Sequence, residues 1–411
     1  MTDTIKQMSG NSWWTVDRVT VFARSLAIFE CAMFVFFAAG THGLIVPLDG
    51  PTTTDFVSFY AAGTLTDAGH AGSVYERFAH HAAEQQATAP GIAYNYFYYP
   101  PVYLLLCGLL GVFPYLLAFC LFQAMTLLPC LIAARSILPQ TRLVVFLAFP
   151  AVFWTMGTGQ NAFLSAGLFA FATILIDRRP WLAGLLLGCL CYKPHFGLLI
   201  PIALIAGAHG RAFAGAALSV VGLIGLSVLL FGAETWQAFF TAAAAAQPIY
   251  ATNMIDMSGL TSPFGAAISL GASANAGFLV QGLASIAVMA AVAVVWRSGA
   301  SLPVRAAVLI AGTPLAVPIV MFYDLMLDGV AMLWLMRAAR DRGCPAWHRP
   351  VLAVLFLLPI LSGNLGGGTN LLLPPITALG CFVLALSQFR HERGGQAAGA
   401  GLTSAAISAG S

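Results

Sequence analysis

Asp55, Lys193 and Asp324 are ionisable residues set in stretches that are otherwise apolar. Asp55 closes TTTD and precedes FVSFYAAG. A carboxylate there stays ionised where water or a cation reaches it, and can take a proton from a hydroxyl. The same pattern equally fits a helix N-cap. Lys193 lies in CYKPHFGLL, where a cation is costly unless paired or solvated. It suits a phosphate held near the membrane boundary. The alternatives are a snorkelling lysine or an ion pair, with Asp324 as the matching acid. His195 can donate to the same anion or serve as a satisfied structural residue.

Asp324 follows Tyr323 in FYDLML and interrupts the apolar region 304–338. An acid at such a place is either functional, part of a buried salt bridge, or a cap for the helix after it. Asp328, one turn on, shares its helix face. Gln160 and Asn161 end GTGQN; their amides can bind a polar substrate or pair between helices. Tyr94, Tyr96, Phe97, Tyr98 and Tyr99 form either a stacking wall or an interfacial aromatic belt. Tyr60, Tyr99 and Tyr323 are further substrate-binding candidates, and Arg77 is a candidate for a phosphate.

These residues must be positioned by membrane helices. The chain has 411 residues, 59% hydrophobic and 8% charged, against roughly 25% charged in soluble domains. The composition predicts an all-α polytopic membrane protein. A net charge of +3 without a basic cluster gives no sign of nucleic-acid binding. The eight cysteines include no CxxC pair, so no metal site or disulfide framework is expected. No Walker loop, dinucleotide fingerprint, HExxH motif or GxSxG elbow stands in a suitable context, and no cofactor is expected.

Residues 1–20 read as a cytoplasmic lead-in with Trp13 and Trp14 at the interface, and 21–47 as a first span. Residues 49–103 form a large outer loop, whose GHAGSVYERFAHHAAEQQ part has helix-forming composition. The apolar run 101–112 is too short to cross a core of about 30 Å, so it reads as re-entrant or interfacial. About twelve spans follow from the remaining runs, many of them short and abutting, as in broken helices. Ala233–Ser262 reads as a second polar loop, and 390–411 as a disordered cytoplasmic tail.

With the N-terminus inside, this layout puts sixteen of the eighteen Lys and Arg residues on the cytoplasmic face, all but Arg77 and Lys193. That asymmetry supports the topology. It gathers Asp55, the Tyr94–Pro101 run, Gln160-Asn161, Lys193, His195, Tyr323-Asp324 and Asn364–Asn370 on the outer face.

DFVSFYAAG, VYE, YFYYPP, GTGQNAFL, CYKPHFGLL and FYDLML, in that order, resemble the membrane glycosyltransferases of family 87 over roughly residues 20–390. The resemblance implies a GT-C-like bundle and a mannosyltransferase-like hexosyltransferase using a polyprenyl-phosphate-linked sugar donor. It implies an acidic base in the first outer loop, at the position of Asp55, and a site on the extracytoplasmic side of the plasma (inner) membrane. Members with such donors invert the anomeric centre without a metal. The expected partners are the lipid-linked donor, a lipid or glycan acceptor and membrane lipids. A transporter or flippase of a lipid-linked sugar is the alternative, as broken helices and intramembrane charges permit.

Overall fold

The computed structural model describes residues 16–40, 54–139, 143–251, 259–361 and 372–409. Its described residues are helical, with an isolated antiparallel bridge between Leu260 and Met321. Asn364–Asn370, Trp13, Trp14 and the start of the outer loop lie outside them.

Helix α1 (Val16–Gly40) takes in residues 21–40 of the expected first span, whose remainder lies outside the described residues. The segment expected as an outer loop folds, from residue 54 on, as α2 (Phe56–Asp67), a 3-10 turn (Ala71–Tyr75) and α3 (Arg77–Ala87). An extended stretch leads to the 3-10 turn Pro101–Tyr103 and to α4 (Leu104–Gly111). Pro100 and Pro101 set this entry, since proline suits the first position of a helix and restricts the residue before it. At eight residues, α4 is about 12 Å long. It packs on α2 at a crossing of glycines.

The chain continues through α5 (Tyr115–Ile137), α6 (Leu143–Leu147), α7 (Pro150–Thr158), α8 (Ala162–Leu175) and α9 (Pro180–Gly188). Two 3-10 turns, Cys189–Tyr192 and Pro194–Gly197, flank Lys193 before α10 (Leu199–Ala206). Then come α11 (Gly210–Phe231), α12 (Ala233–Ala251), α13 (Pro263–Ser269), α14 (Ala274–Arg297) and α15 (Leu302–Gly312). A 3-10 turn, Phe322–Leu325, leads into α16 (Met326–Arg342), followed by α17 (His348–Leu357) and α18 (Leu373–Ala409).

Among the described residues four helices are long and apolar enough to cross a bilayer: Tyr115–Ile137, Gly210–Phe231, Ala274–Arg297 and Leu373–Gly395. Six shorter apolar helices accompany them, including Pro180–Tyr192 and Pro194–Ala206, which abut at Lys193. The outward faces of the long helices carry leucines and valines such as Leu229, 81% exposed, as expected of lipid-facing surface.

Two segments differ from the sequence expectation. Ala233–Ala251 is helical rather than a loop, because TAAAAAQ supplies the strongest helix formers despite few large apolar residues. The expected disordered tail continues α18 to Ala409, again through an alanine-rich run.

Candidate active site

Asp55 sits at the start of α2 with φ −59° and ψ −17°, and its side chain makes no cap hydrogen bond. It turns instead to Gln160, whose Nε2 donates to Asp55 Oδ2 at 2.8 Å. Tyr99 Oη donates to Gln160 Oε1 at 3.3 Å. Tyr99, Gln160 and Asp55 are thus one directed string, contributed by the extended stretch, the α7–α8 turn and α2. Gln160 occupies one carboxylate oxygen. The other, Oδ1, has no hydrogen-bond partner among the described residues.

The GTGQN turn explains the placement. Helix α7 ends at Gly159, whose φ of 71° is the left-handed conformation that glycine adopts freely. The Gln160 N–H then bonds back to the Thr155 carbonyl at 3.2 Å. A Cβ on Gly159 would stand 2.7 Å from Phe56 Cβ and 3.2 Å from Thr54 Oγ1. Only a glycine lets this turn close on the residues flanking Asp55. Burial pushes the Asp55 carboxyl above the ordinary carboxylate range, and the Gln160 hydrogen bond opposes that rise.

The aromatic run divides by alternation, as an extended chain must. Tyr94, Tyr96 and Tyr98 lie along one side, with Tyr94–Tyr96 ring centroids 4.7 Å apart and Tyr96–Tyr98 5.3 Å apart. Phe97 and Tyr99 face the core. There Tyr99, Tyr103 and Tyr192 cluster, at 4.6 Å for Tyr99–Tyr103 and 5.1 Å for Tyr103–Tyr192. The inner half is therefore a packed wall behind Gln160. Asn161 is fully buried beside the Tyr99 and Tyr103 hydroxyls.

Lys193 and Asp324 form a buried ion pair, Nζ to Oδ1 2.8 Å. Lys193 also lies 5.1 Å from the Phe196 ring and 5.6 Å from the Tyr323 ring. Asp324 and Asp55 are both within electrostatic reach of Tyr99. The structure thus brings Asp55, Tyr99, Gln160, Asn161, Lys193, Tyr323 and Asp324 to one end of the helices.

It places three candidates differently. Tyr60 Oη donates to the Phe113 carbonyl at 2.8 Å, bracing α2 against the α4–α5 turn. Arg77 is exposed and stacks over Tyr94 and Tyr96, at 5.4 and 5.8 Å. His195 is exposed, its ring 4.6 Å from that of Phe196. Sequence reasoning missed Tyr103, Tyr192, His80 and Glu84. The HHAAE spacing was the available signal for the last two, since it puts an imidazole and a carboxyl on one helix face. A cavity of about 410 Å³ lies at the other end of α8, lined by Asp177, Pro180, His209 and Arg211 among others.

Apolar helices of bilayer length, with an acid held by an amide at one end of the bundle, define a membrane protein carrying a candidate acid–base site. The family model described as Glycosyltransferase family 87 matches residues 97–318, more than half of the chain, and the chain belongs to that family. It is accordingly a membrane glycosyltransferase. The match includes Tyr99, Gln160, Asn161, Lys193 and His195. Asp55, Tyr60 and Arg77 precede it, and Tyr323 and Asp324 follow it. No curated protein and no solved structure matches the chain.

Proposed function

We propose that this protein is an inverting hexosyltransferase of the mannosyl type. It takes the sugar from a polyprenyl-phosphate carrier and passes it to an acceptor hydroxyl at the outer face of the membrane. The observation that carries the reading is the Asp55 carboxylate, held on one oxygen by Gln160 with the other left to accept a proton. Asp55 removes the acceptor hydroxyl's proton as that oxygen attacks the anomeric carbon. The bond from that carbon to the phosphate oxygen breaks, and polyprenyl phosphate departs with the electron pair. A single displacement of this kind inverts the anomeric centre.

The departing phosphate gains negative charge, which a fixed cation in a dry site stabilises strongly. Lys193 is the cation tied to this cluster, and Asp324 holds it in place. Tyr99, which is partly exposed, supplies a polar contact to the sugars, and the lipid tail lies between helices.

The test is transfer in membranes from a synthetic polyprenyl-phosphate hexose. Asp55→Asn keeps an oxygen and adds an amide but removes the base. It should lower the rate about 10²–10⁴-fold, the usual contribution of a general base, while the chain stays folded. A folded Asp55→Asn protein with full activity removes this mechanism. Transport of the lipid-linked sugar without transfer would make the protein a flippase instead.

A further inference from the structure

Helix α3 carries two fully buried titratable side chains in a polar outer segment, His80 and Glu84. Burying both is expensive unless each has a partner. We propose that His80 and Glu84 form a neutral imidazole–carboxyl pin that positions Asp55 and Tyr99 for transfer. The inference rests on the proposed role of Asp55 as base.

The pin reaches both arms of the site. His80 Nε2 lies 3.0 Å from the Ser58 carbonyl oxygen, in the first turn of α2, three residues after Asp55. A carbonyl can only accept, so Nε2 carries the hydrogen and Nδ1 presents a lone pair. That Nδ1 faces Glu84 Oε1 at 3.7 Å. Neither of these two buried atoms has a hydrogen-bond partner among the described residues, and 3.7 Å is a contact rather than a hydrogen bond. The second Glu84 oxygen, Oε2, accepts from the Asn95 N–H at 3.2 Å, four residues before Tyr99. One imidazole and one carboxyl therefore join the segment bearing Asp55 to the segment bearing Tyr99. These are two of the three members of the Asp55–Gln160–Tyr99 string.

The proton count fits this geometry. Burial pushes Glu84 up to about 8 and His80 down to about 4, so around neutral pH the proton sits on Glu84. A protonated Oε1 supplies the donor that Nδ1 lacks once the two close by under about 1 Å, the difference between 3.7 Å and a hydrogen bond. The charged and titratable groups around the pair are Asp55 from α2, His81 on the same helix, and Tyr94 from the extended stretch with Arg77 over its ring. Asp55, when ionised, disfavours a second negative charge on Glu84. Above about pH 8 Glu84 ionises, Nδ1 no longer faces a proton donor, and the two segments loosen. His80 and Glu84 touch no reacting atom in this scheme; they are positioning residues.

The experiment uses the full chain in lipid nanodiscs, with Glu84→Gln, Glu84→Ala and His80→Gln. Two readouts are taken: hydrogen–deuterium exchange over 56–62 and 94–103, and the pH profile of hexose transfer with kcat and KM separated. Glu84→Gln retains a neutral donor that does not ionise. It should keep wild-type exchange and rate at pH 7 and abolish the fall in rate near pH 8. Glu84→Ala should speed exchange in both segments and cut kcat about 10- to 100-fold, the scale of a misplaced reacting group, with KM little changed. His80→Gln, which keeps only the donor to Ser58, should loosen 94–103 more than 56–62.

Exchange that changes only within α3, or an alkaline fall that survives in Glu84→Gln, overturns the pin. Wild-type protein that transfers no sugar overturns the role of Asp55, and the exchange result still decides whether the pin exists.

Discussion

In the proposed mechanism, Gln160 tunes the Asp55 carboxyl as a base. Its amide donates to the carboxylate, and a hydrogen bond to the charged form favours that form. Burial works in the opposite direction and wins, so Asp55 lies above the ordinary range. Transfer should therefore fall on acidification, as Asp55 takes a proton from solvent and ceases to be a base. Gln160→Leu removes the opposing hydrogen bond, so the carboxyl rises further. The acid limb of kcat should move to higher pH than in the wild type; a limb that stays in place would mean that Gln160 does not govern the carboxyl.

Lys193 and Asp324 raise a different question, since each explains the other's burial. Lys193→Met leaves a buried carboxylate unpaired and should cost about 3–5 kcal/mol of stability, read as a lower unfolding temperature in detergent. Lys193→Met with Asp324→Leu should recover most of that loss. If the double variant folds yet transfers no sugar, Lys193 serves the donor phosphate; if it transfers normally, the pair is structural.

At the scale of elements, the segment bearing Asp55 is held against the bundle by backbone contact. A Cβ on Gly63 would collide with the Cys107 carbonyl oxygen, and one on Gly111 would stand 2.6 Å from the Gly63 carbonyl carbon. Helices α2 and α4 thus touch along their backbones, and Tyr60 pins the same helix to Phe113. Gly63→Val should separate them, shift Asp55 from Gln160 and cost about 1–3 kcal/mol as an overpacked contact. The expected result is lower kcat together with earlier unfolding. Unchanged kcat would show that α2 does not depend on α4 for its position.

Some of this was legible in the sequence. The short apolar run 101–112 and the acid before α2 follow from local residue types. What brings them together does not. Gln160 meets Asp55 across 105 positions, and no local pattern marks that pairing. Helix α3 reads as a polar surface helix because its composition is polar; the burial of His80 and Glu84 depends on α2 and Asn95 covering one face. The alanine run in α12 hid a helix for the opposite reason, too few large apolar residues to show a period.

At the scale of the molecule, the helices separate two chemistries. Asn161 begins α8, and Asp177, Arg178 and Arg179 follow its end. Helix α9 runs back towards Lys193, and α11 lies beside it in the same direction, Gly184 against Ala212 and Gly188 against Ala216. The Asp55 cluster and the arginine-rich turns therefore occupy opposite ends of the same helices. Arginine excess marks the cytoplasmic end of membrane helices. Under the proposed reading the opposite end of the helices, and Asp55 with it, faces outward. Single cysteines at the exposed Arg77 and Arg211, in a chain whose own cysteines are replaced, decide the matter. Arg77→Cys should react with a membrane-impermeant maleimide on intact cells or spheroplasts, and Arg211→Cys only after the membrane is opened. Reversed labelling would put Asp55 inside, where a donor presented at the outer leaflet cannot reach it.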